Sequence, residues 1–393
     1  MRASRRRLTR WPICTPRNSC ARGACTWPAP PPASSPARCS STRSCSRRAA
    51  TTTSRGRAST SIRELRSRIN VQTADAIVVG GGPAGSTCAW KLREAGLDVL
   101  VLDRAAFPRT KLCAGWVTPE ALQDLELDPG DYPHSIMTFD NLHVHWKVLG
   151  AKPATRQFSI RRYEFDDFLL RRAGTRLLQH KVRDIQRDHG DYVVDDAFRS
   201  KYLVGAGGTA CPVYRALFSE RAPRNGALQT ATYEHEFAYD WKDPACHLWF
   251  FEGGLPGYAW YVPKANGYVN VGLGGMAEQL KHKGGHLREH WAKFVARLKT
   301  RGLVDYDAYD PSGYSYYVRG EVDAVSDGNA YIVGDAVGLA TRDMCEGIGP
   351  AVRSGLLAAR SIVTGESYSL DGIGKLSGNG FPSRLLERQF VRH

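Results

Sequence analysis

The chain has 393 residues, 42% of them hydrophobic, which gives apolar material for a large core and two or three domains and excludes a wholly disordered or collagen-like protein. No run of 18 uninterrupted apolar residues occurs, which excludes an ordinary transmembrane helix. The formal charge of +15 sits at one end. Residues 1–73 hold 16 Arg and one acid, and the other 320 balance 38 basic against 38 acidic side chains, so the body carries no footprint for nucleic acid.

Residues 1–73 are Arg, Ser, Thr, Pro, Ala and Cys with no apolar period, a composition that cannot offset its ordering entropy and reads as a disordered leader. Such a leader fits an organelle transit peptide, a basic arm for nucleic acid or anionic lipid, or translated sequence upstream of the real start. Its five Cys, and a clean domain start near Val71, favour the last. The body has Cys88, Cys113, Cys211, Cys246 and Cys345, with no CxxC pair. That pattern suits reduced thiols in a cytosolic enzyme and gives no metal site.

Asp75 to Val79 reads as a short buried strand, followed by Gly80-Gly81-Gly82-Pro83-Ala84-Gly85. A helical pattern runs from about Ala84 to Ala95, and Asp98 to Asp103 gives a second strand ending in an acid. Strand, G-x-G-x-x-G, helix, strand and acid together are the dinucleotide-binding fingerprint. Gly80 permits the tight turn, Gly82 admits a pyrophosphate, and Gly85 lets helix and strand pack closely. The helix N-terminus faces the phosphates, and Asp103, with Arg104 beside it, meets the adenosine ribose.

Lys111-Leu112-Cys113-Ala114-Gly115-Trp116 comes next in the chain. Residues 140–149, 229–240, 246–252, 258–263 and 267–273 read as strands, several alternating, as in Leu142-His143-Val144-His145-Trp146. His143 and His145 lack a third ligand and read as surface or polar-face residues. Between these strands lie Arg162-Tyr163-Glu164-Phe165-Asp166 and the turn Ala206-Gly207-Gly208. Gly257 to Lys264 and Val269 to Gly274 follow. Ala330 to Val333 is another apolar strand, entering Gly334-Asp335-Ala336-Val337-Gly338. Glu346-Gly347-Ile348-Gly349-Pro350 then precedes a helix from about Ala351 to Ile362.

The Gly-Asp segment resembles the FAD-binding reductases and hydroxylases of the glutathione-reductase-like class. That resemblance places Asp335 on the ribityl chain and aims the following helix at the pyrimidine end of the flavin, where its dipole stabilises negative charge. Arg162 to Leu170 matches the R-x-x-F-D-x-x-L segment, whose Arg lies near the cofactor; a surface Arg paired with Asp166 is the competing reading. At 205–208 the class carries Gly-Ala-Asp-Gly, and Gly207 replaces the Asp. Lys111 to Trp116 resembles the K-x-C-G-G stretch of geranylgeranyl reductases, and Tyr258 to Lys264 with Asn270 to Gly274 resembles their Y-x-W-x-F-P-K and N-V-G-x-G regions. The match covers about residues 74–365. Ala114 stands for a Gly, and Thr341-Arg342-Asp343 for D-P-x.

The resemblance implies an α/β fold with an α+β second domain: a discontinuous, Rossmann-like, three-layer ββα FAD domain (74–135, 155–225 and 322–365) and an inserted antiparallel-sheet substrate domain (136–154 and 226–321). Residues 366–393 form a tail, with truncation of covering helices as one reading. The expected cofactor set is Gly80, Gly82, Pro83, Ala84, Gly85, Asp103, Arg104, Lys111, Arg162, Gly334, Asp335, Gly338, Gly347 and Ile348. Cys113, Tyr258 and Trp260 are the expected catalytic residues, a buried structural thiol being the alternative for Cys113. Trp249, Phe250, Phe251, Tyr258, Trp260 and Tyr261 either line a polyprenyl tunnel or form the core of the sheet.

The implied activity is reduction of isoprenoid carbon–carbon double bonds by reduced FAD, as in lipid biosynthesis. NAD(P)H or a ferredoxin is the donor, since no second G-x-G-x-x-G follows a strand. A flavin monooxygenase or halogenase is the alternative, because Tyr258-Ala259-Trp260-Tyr261-Val262-Pro263 is close to the W-x-W-x-I-P signature. A prenyl-escort protein without turnover is the non-enzymatic reading, opposed by the intact Gly-Asp region. A monomer acting on a small isoprenoid substrate is expected. A cytosolic location, with peripheral membrane contact as an option and no nucleic-acid partner, is the accompanying expectation.

Overall fold

The computed structural model describes residues 71–146, 149–282, 286–322, 324–378 and 381–391, with only the backbone of Phe381. The Arg-rich leader thus lies outside the described residues, except for Val71 to Thr73. In chain order the elements are β1 (Gln72–Val79), α1 (Pro83–Glu94), β2 (Val99–Asp103), β3 (Trp116–Val117), α2 (Pro119–Asp124), β4 (Met137–Trp146), β5 (Leu149–Ala151) and β6 (Ala154–Ser159). There follow α3 (Arg162–Ala173), β7 (Arg176–Gln179), β8 (Ile185–Asp188), β9 (Asp191–Val194), β10 (Phe198–Gly205), α4 (Pro212–Leu217), β11 (Gln229–Ala238), β12 (Cys246–Phe250), β13 (Gly257–Lys264) and β14 (Tyr268–Met276). The last are α5 (Ala277–His282), α6 (Leu287–Thr300), β15 (Ser312–Tyr317), β16 (Ser326–Asp327), β17 (Ala330–Ile332), α7 (Ile348–Thr364) and α8 (Phe381–Phe390).

The first sheet runs β16-β17-β10-β1-β2-β7, with the β8–β9 hairpin on the edge of β10. Its central strands are parallel and buried on both faces, hence the unbroken Val/Leu/Ile runs of β1 and β2. A single core joins them to α1 and to α7 from the far end of the chain. Gly355 of α7 packs so closely on α1 that a Cβ there would lie 2.4 Å from the Ala84 carbonyl oxygen.

The second sheet runs β15-β11-β14-β13-β12-β4-β6-β3. The expected 154/155 boundary falls inside β6, which pairs with β4, and β3 of the first expected segment pairs with β6. Backbone hydrogen bonding therefore assigns both short strands to the larger sheet. One face of that sheet packs on α6 through Trp291, Phe294 and Leu298. The other face turns toward the first sheet. The segment read as a tail carries α8, whose Phe390 ring lies tilted against that of Phe251, with centroids 5.2 Å apart.

Candidate active site

A cavity of about 1760 Å³ lies between the two sheets. The β1–α1 turn forms one end of it. The Gly81 N–H donates to Asp103 Oδ2 at 2.8 Å, and Asp103 Oδ1 accepts from Ala105 N–H at 2.9 Å. The carboxylate so ties the turn to β2. Gly80 has φ +115°, and a Cβ there would stand 2.3 Å from the Ala206 carbonyl oxygen, so only glycine fits. Gly82 caps α1 with no side-chain bond to the first turn, and Pro83 occupies the first helical position. The free N–H groups of that turn and the helix dipole favour an anion. Arg104, Arg109, Lys181 and Arg215 line the same end.

The distant Gly-Asp segment reaches this turn. The Gly334 N–H donates to Ser354 Oγ at 2.9 Å, and a Cβ on Gly334 would meet that of Ala84 at 3.0 Å. Asp335 accepts from the Tyr314 hydroxyl at 3.4 Å, and Gly347 and Ile348 bring the start of α7 to the cavity wall. Gly85 and Gly338 do not line the cavity. Gly85 packs the helix against the turn, and Gly338 packs against Tyr317. At Gly207 a Cβ would meet Cys211 Cα at 3.1 Å, so the Asp of related turns has little room here.

Arg162 is buried, so its reading as a surface residue is corrected; its pairing with Asp166 holds, at 2.6 and 2.8 Å, while it also lines the cavity. Arg109 reaches the same carboxylate at 3.2 Å. One buried Asp therefore holds two guanidinium groups, and the surplus positive charge faces the cavity.

The Cys113 loop is fixed from below. Lys264 is fully buried, and its ammonium donates to the carbonyls of Ile160, at 2.8 Å, and Ala114. Gly115, at φ +67°, leaves room for that ammonium, since a Cβ would stand 2.4 Å from Nζ. Cys113 Sγ accepts from Gly115 N–H at 3.3 Å. Trp260 donates to Asn270 Oδ1 at 2.7 Å, and Asn270 donates to the Cys113 carbonyl at 3.3 Å. The Tyr258 hydroxyl donates to the Met344 carbonyl at 2.6 Å, and burial holds it protonated well above its ordinary pKa.

The six aromatics divide by the pleat. Phe250, Tyr258 and Trp260 line the cavity, whereas Trp249 and Tyr261 point to the opposite face and pack under α6. Phe251 sits beside Trp146 at 5.1 Å, in the core below the slot. Assigning all six to one wall ignores the period of two. The same alternation sends Leu142, Val144 and Trp146 to the cavity. It sends His143 and His145 to the other face, where His145 stacks on Trp249 at 5.1 Å and its Nε2 lies 3.1 Å from His247 Nδ1. The two histidines are half-buried, in keeping with the polar-face reading and not the surface one, with His247 of β12 opposite His143 and Trp249 opposite His145.

Among the carboxyl and ammonium groups of the wall, three are perturbed. Burial lowers Lys111 to about 8 against the pull of Asp335, and its ammonium lies 3.2 Å from the Tyr314 ring centroid. Burial raises Glu234 and Glu346 to about 7 each. Sequence reading passed over Glu234, Glu346, Arg109, Lys264 and Tyr314. The alternation of β11 could have flagged Glu234 as an acid at an inward position, and Lys264 ends a quoted motif. Nothing local marks Arg109, whose partner is remote in sequence.

The site joins a phosphate-cradling turn, a Gly-Asp turn and an apolar slot, the arrangement of a flavin-dependent oxidoreductase. The NAD(P)-binding Rossmann-like domain family matches residues 78–149. An uncharacterised protein of Methanosarcina barkeri is 30% identical over 348 residues, 82% of this chain and 81% of that protein. Menaquinone reductase of Mycolicibacterium smegmatis is 29% identical over 74% of this chain and 77% of its own length. Digeranylgeranylglycerophospholipid reductase 2 of Methanopyrus kandleri is 30% identical over 51% of this chain and 54% of its own. Among solved structures, a geranylgeranyl bacteriochlorophyll reductase-like protein of Thermoplasma acidophilum has TM-score 0.63 at 19% identity, covering 82% of this chain and 85% of that one. The flavin-dependent brominase Bmp2 has TM-score 0.60 at 19% identity over 76% and 81%. At those identities the structures bear on fold alone.

The chain belongs to the geranylgeranyl reductase family of FAD-dependent oxidoreductases. Among the described residues, no helix is long and apolar enough to cross a membrane.

Proposed function

We propose that this enzyme saturates carbon–carbon double bonds of a polyprenyl group, with FAD as the bound redox cofactor and NAD(P)H or a reduced ferredoxin as electron source. The observation that carries the reading is the size and shape of the cavity. Pockets for one drug-sized ligand run to about 300–1,000 Å³. At about 1760 Å³ this one has room for a second molecule beside a cofactor. Its far part is walled by Leu142, Val144, Trp146, Leu248, Phe250 and Leu386, a lining suited to a hydrocarbon chain.

The residues fit FAD. The uncapped start of α1 and the cations around it suit a pyrophosphate, and glycines at 80 and 82 leave the space that side chains would fill. Asp103 would meet the ribose, Asp335 the ribityl chain, and Gly347 and Ile348 the flavin ring, with Lys111 and Arg162 beside it. When bound, FAD supplies hydride chemistry. The protein's share is to orient the alkene against the ring with Tyr258, Trp260 and the Cys113 loop, and to exclude water through the slot. A polyprenyl chain carried on a quinone or on a glycerolipid satisfies the same lining.

Anaerobic single-turnover mixing tests the reading. Reduced enzyme should be reoxidised by geranylgeranyl compounds, with saturated product by mass spectrometry. Failure with every prenyl compound, together with rapid oxygen consumption coupled to hydroxylation or halogenation, would replace it by the monooxygenase alternative.

A further inference from the structure

We propose that Glu234 is the proton donor of this site, delivering its carboxyl proton to the alkene carbon that does not receive hydride. The inference rests on the alkene-reduction reading above. In the step, the π bond breaks and two C–H bonds form. The hydride, with its two electrons, would come from the reduced FAD that the site would hold. Glu234 gives up a proton, becomes a carboxylate, and regains its proton from solvent.

The geometry comes from β11 and β14. Glu234 is 2% exposed and lines the cavity, and its Oε2 has no hydrogen-bond partner. Opposite it on β14 stands Gly272, where a Cβ would lie 2.7 Å from Glu234 Cβ and 2.2 Å from the Trp260 ring. That missing side chain lets the carboxyl stand against the indole wall. A buried carboxyl oxygen left unpaired is costly unless it serves a ligand.

Asn270 hydrogen-bonds to the Glu234 carboxyl, which leaves Oε2 as its unpaired oxygen, and several other proton-bearing groups of the wall are engaged elsewhere. Glu346 accepts from Gly349 N–H at 2.7 Å at the start of α7. Asp335 accepts from Tyr314, and Cys113 from Gly115. The Tyr258 and Tyr316 hydroxyls donate to the carbonyls of Met344 and Cys345, and burial makes both weaker acids still.

Charge around Glu234 suits the role. Burial holds the carboxyl neutral to about pH 7. Lys111 from the Cys113 loop and Lys264 from β13 pull toward the charged form, and Glu236 on its own strand opposes it. Its register neighbours Gly272 on β14 and Ser312 on β15 do not titrate. The carboxylate left after transfer is therefore met by Lys111, which speeds turnover without spoiling the acid beforehand.

The test uses the FAD-loaded protein and the variants Glu234→Gln and Glu234→Asp. Removing a general acid costs about 10²–10⁴-fold. E234Q should bind FAD and be reduced at the wild-type rate, yet be reoxidised by a geranylgeranyl compound at least about 10²-fold more slowly. E234D should recover part of that loss. Wild-type reoxidation should fall as pH rises through about 7, and the fall should be absent in E234Q. Independently of turnover, infrared difference titration of flavin-free protein should show protonated-carboxyl absorption lost near neutral pH, and E234Q should lack the Glu234 component of it while keeping that of Glu346. Equal reoxidation of E234Q and wild type overturns this inference alone. Wild type that no prenyl compound reoxidises overturns the function reading, and this inference with it.

Discussion

The Trp260 indole N–H and the Cys113 carbonyl are joined through one side chain, Asn270, at 2.7 and 3.3 Å. Indole only donates, so the orientation of the amide is forced: Oδ1 faces Trp260 and Nδ2 is left for the loop. The aromatic wall and the Cys113 loop are thereby set in register from the strand behind both. Asn270→Ala leaves a buried indole N–H unpaired, at a cost of about 1–3 kcal/mol. We expect a lower Tm, full flavin content by absorbance, and a fall in kcat for prenyl reduction larger than any change in KM. Loss of flavin instead would place Asn270 in cofactor binding.

Lys264 makes the same point from below. Its ammonium, without exposure, satisfies the carbonyls of Ile160 and Ala114. Lys264→Met keeps the stem but strands two buried acceptors, for roughly 2–4 kcal/mol of lost stability. Denaturant unfolding should show that loss at unchanged m. A stability equal to wild type would mean that water or a shifted backbone replaces the ammonium.

The pH dependence of stability has a worked sign. Glu234 has a folded pKa of about 7, above the ordinary 4.5. The folded chain therefore holds the extra proton between these values. The stability this supplies is complete below about pH 4.5 and is lost as pH rises through about 7. Its size is about 3 kcal/mol. Lys111, lowered to about 8 from 10.5, acts in the opposite sense: stability returns as pH rises from about 8 toward 10.5. Glu346, also raised to about 7, adds a slope of the same sign as that of Glu234. Flavin-free protein should thus have its minimum Tm between about pH 7 and 8 within this range, and E234Q should make the acid-side slope shallower, leaving the part due to Glu346. Identical Tm profiles for wild type and E234Q would disprove the assignment.

Local signals made the first half of the site readable. A G-x-G-x-x-G between an apolar strand and a helix, with Asp103 after the next strand, permits few arrangements, and the turn closes through the Gly81–Asp103 bond. The Gly-Asp turn was legible for the same reason, and Gly334 packs on Ala84. Long-range partners were not legible. Arg109 meets Asp166 across 57 residues, and Lys264 meets Ala114 across 150, with no periodicity linking either pair. The aromatics of β12 and β13 carried the needed signal in their alternation, but reading them as one group erased it.

That alternation yields a paired test on adjacent residues. Trp249 is 1% exposed and locked under α6, with Phe294 at 5.5 Å. Phe250 points the other way and borders the slot, where it is also buried, at 3% exposed, against Tyr258. Truncating a fully packed aromatic costs about 3–5 kcal/mol. Trp249→Ala should pay that full amount while the folded fraction keeps its prenyl preference. Phe250→Ala also removes a packed aromatic, and it should change which chain lengths are reduced, because it widens the slot beside Tyr258, whose ring centroid is 5.1 Å away. Competition between short and long prenyl substrates, scored by product mass, separates the two. If Trp249→Ala alters chain-length preference and Phe250→Ala does not, the slot lies on the other face of the sheet.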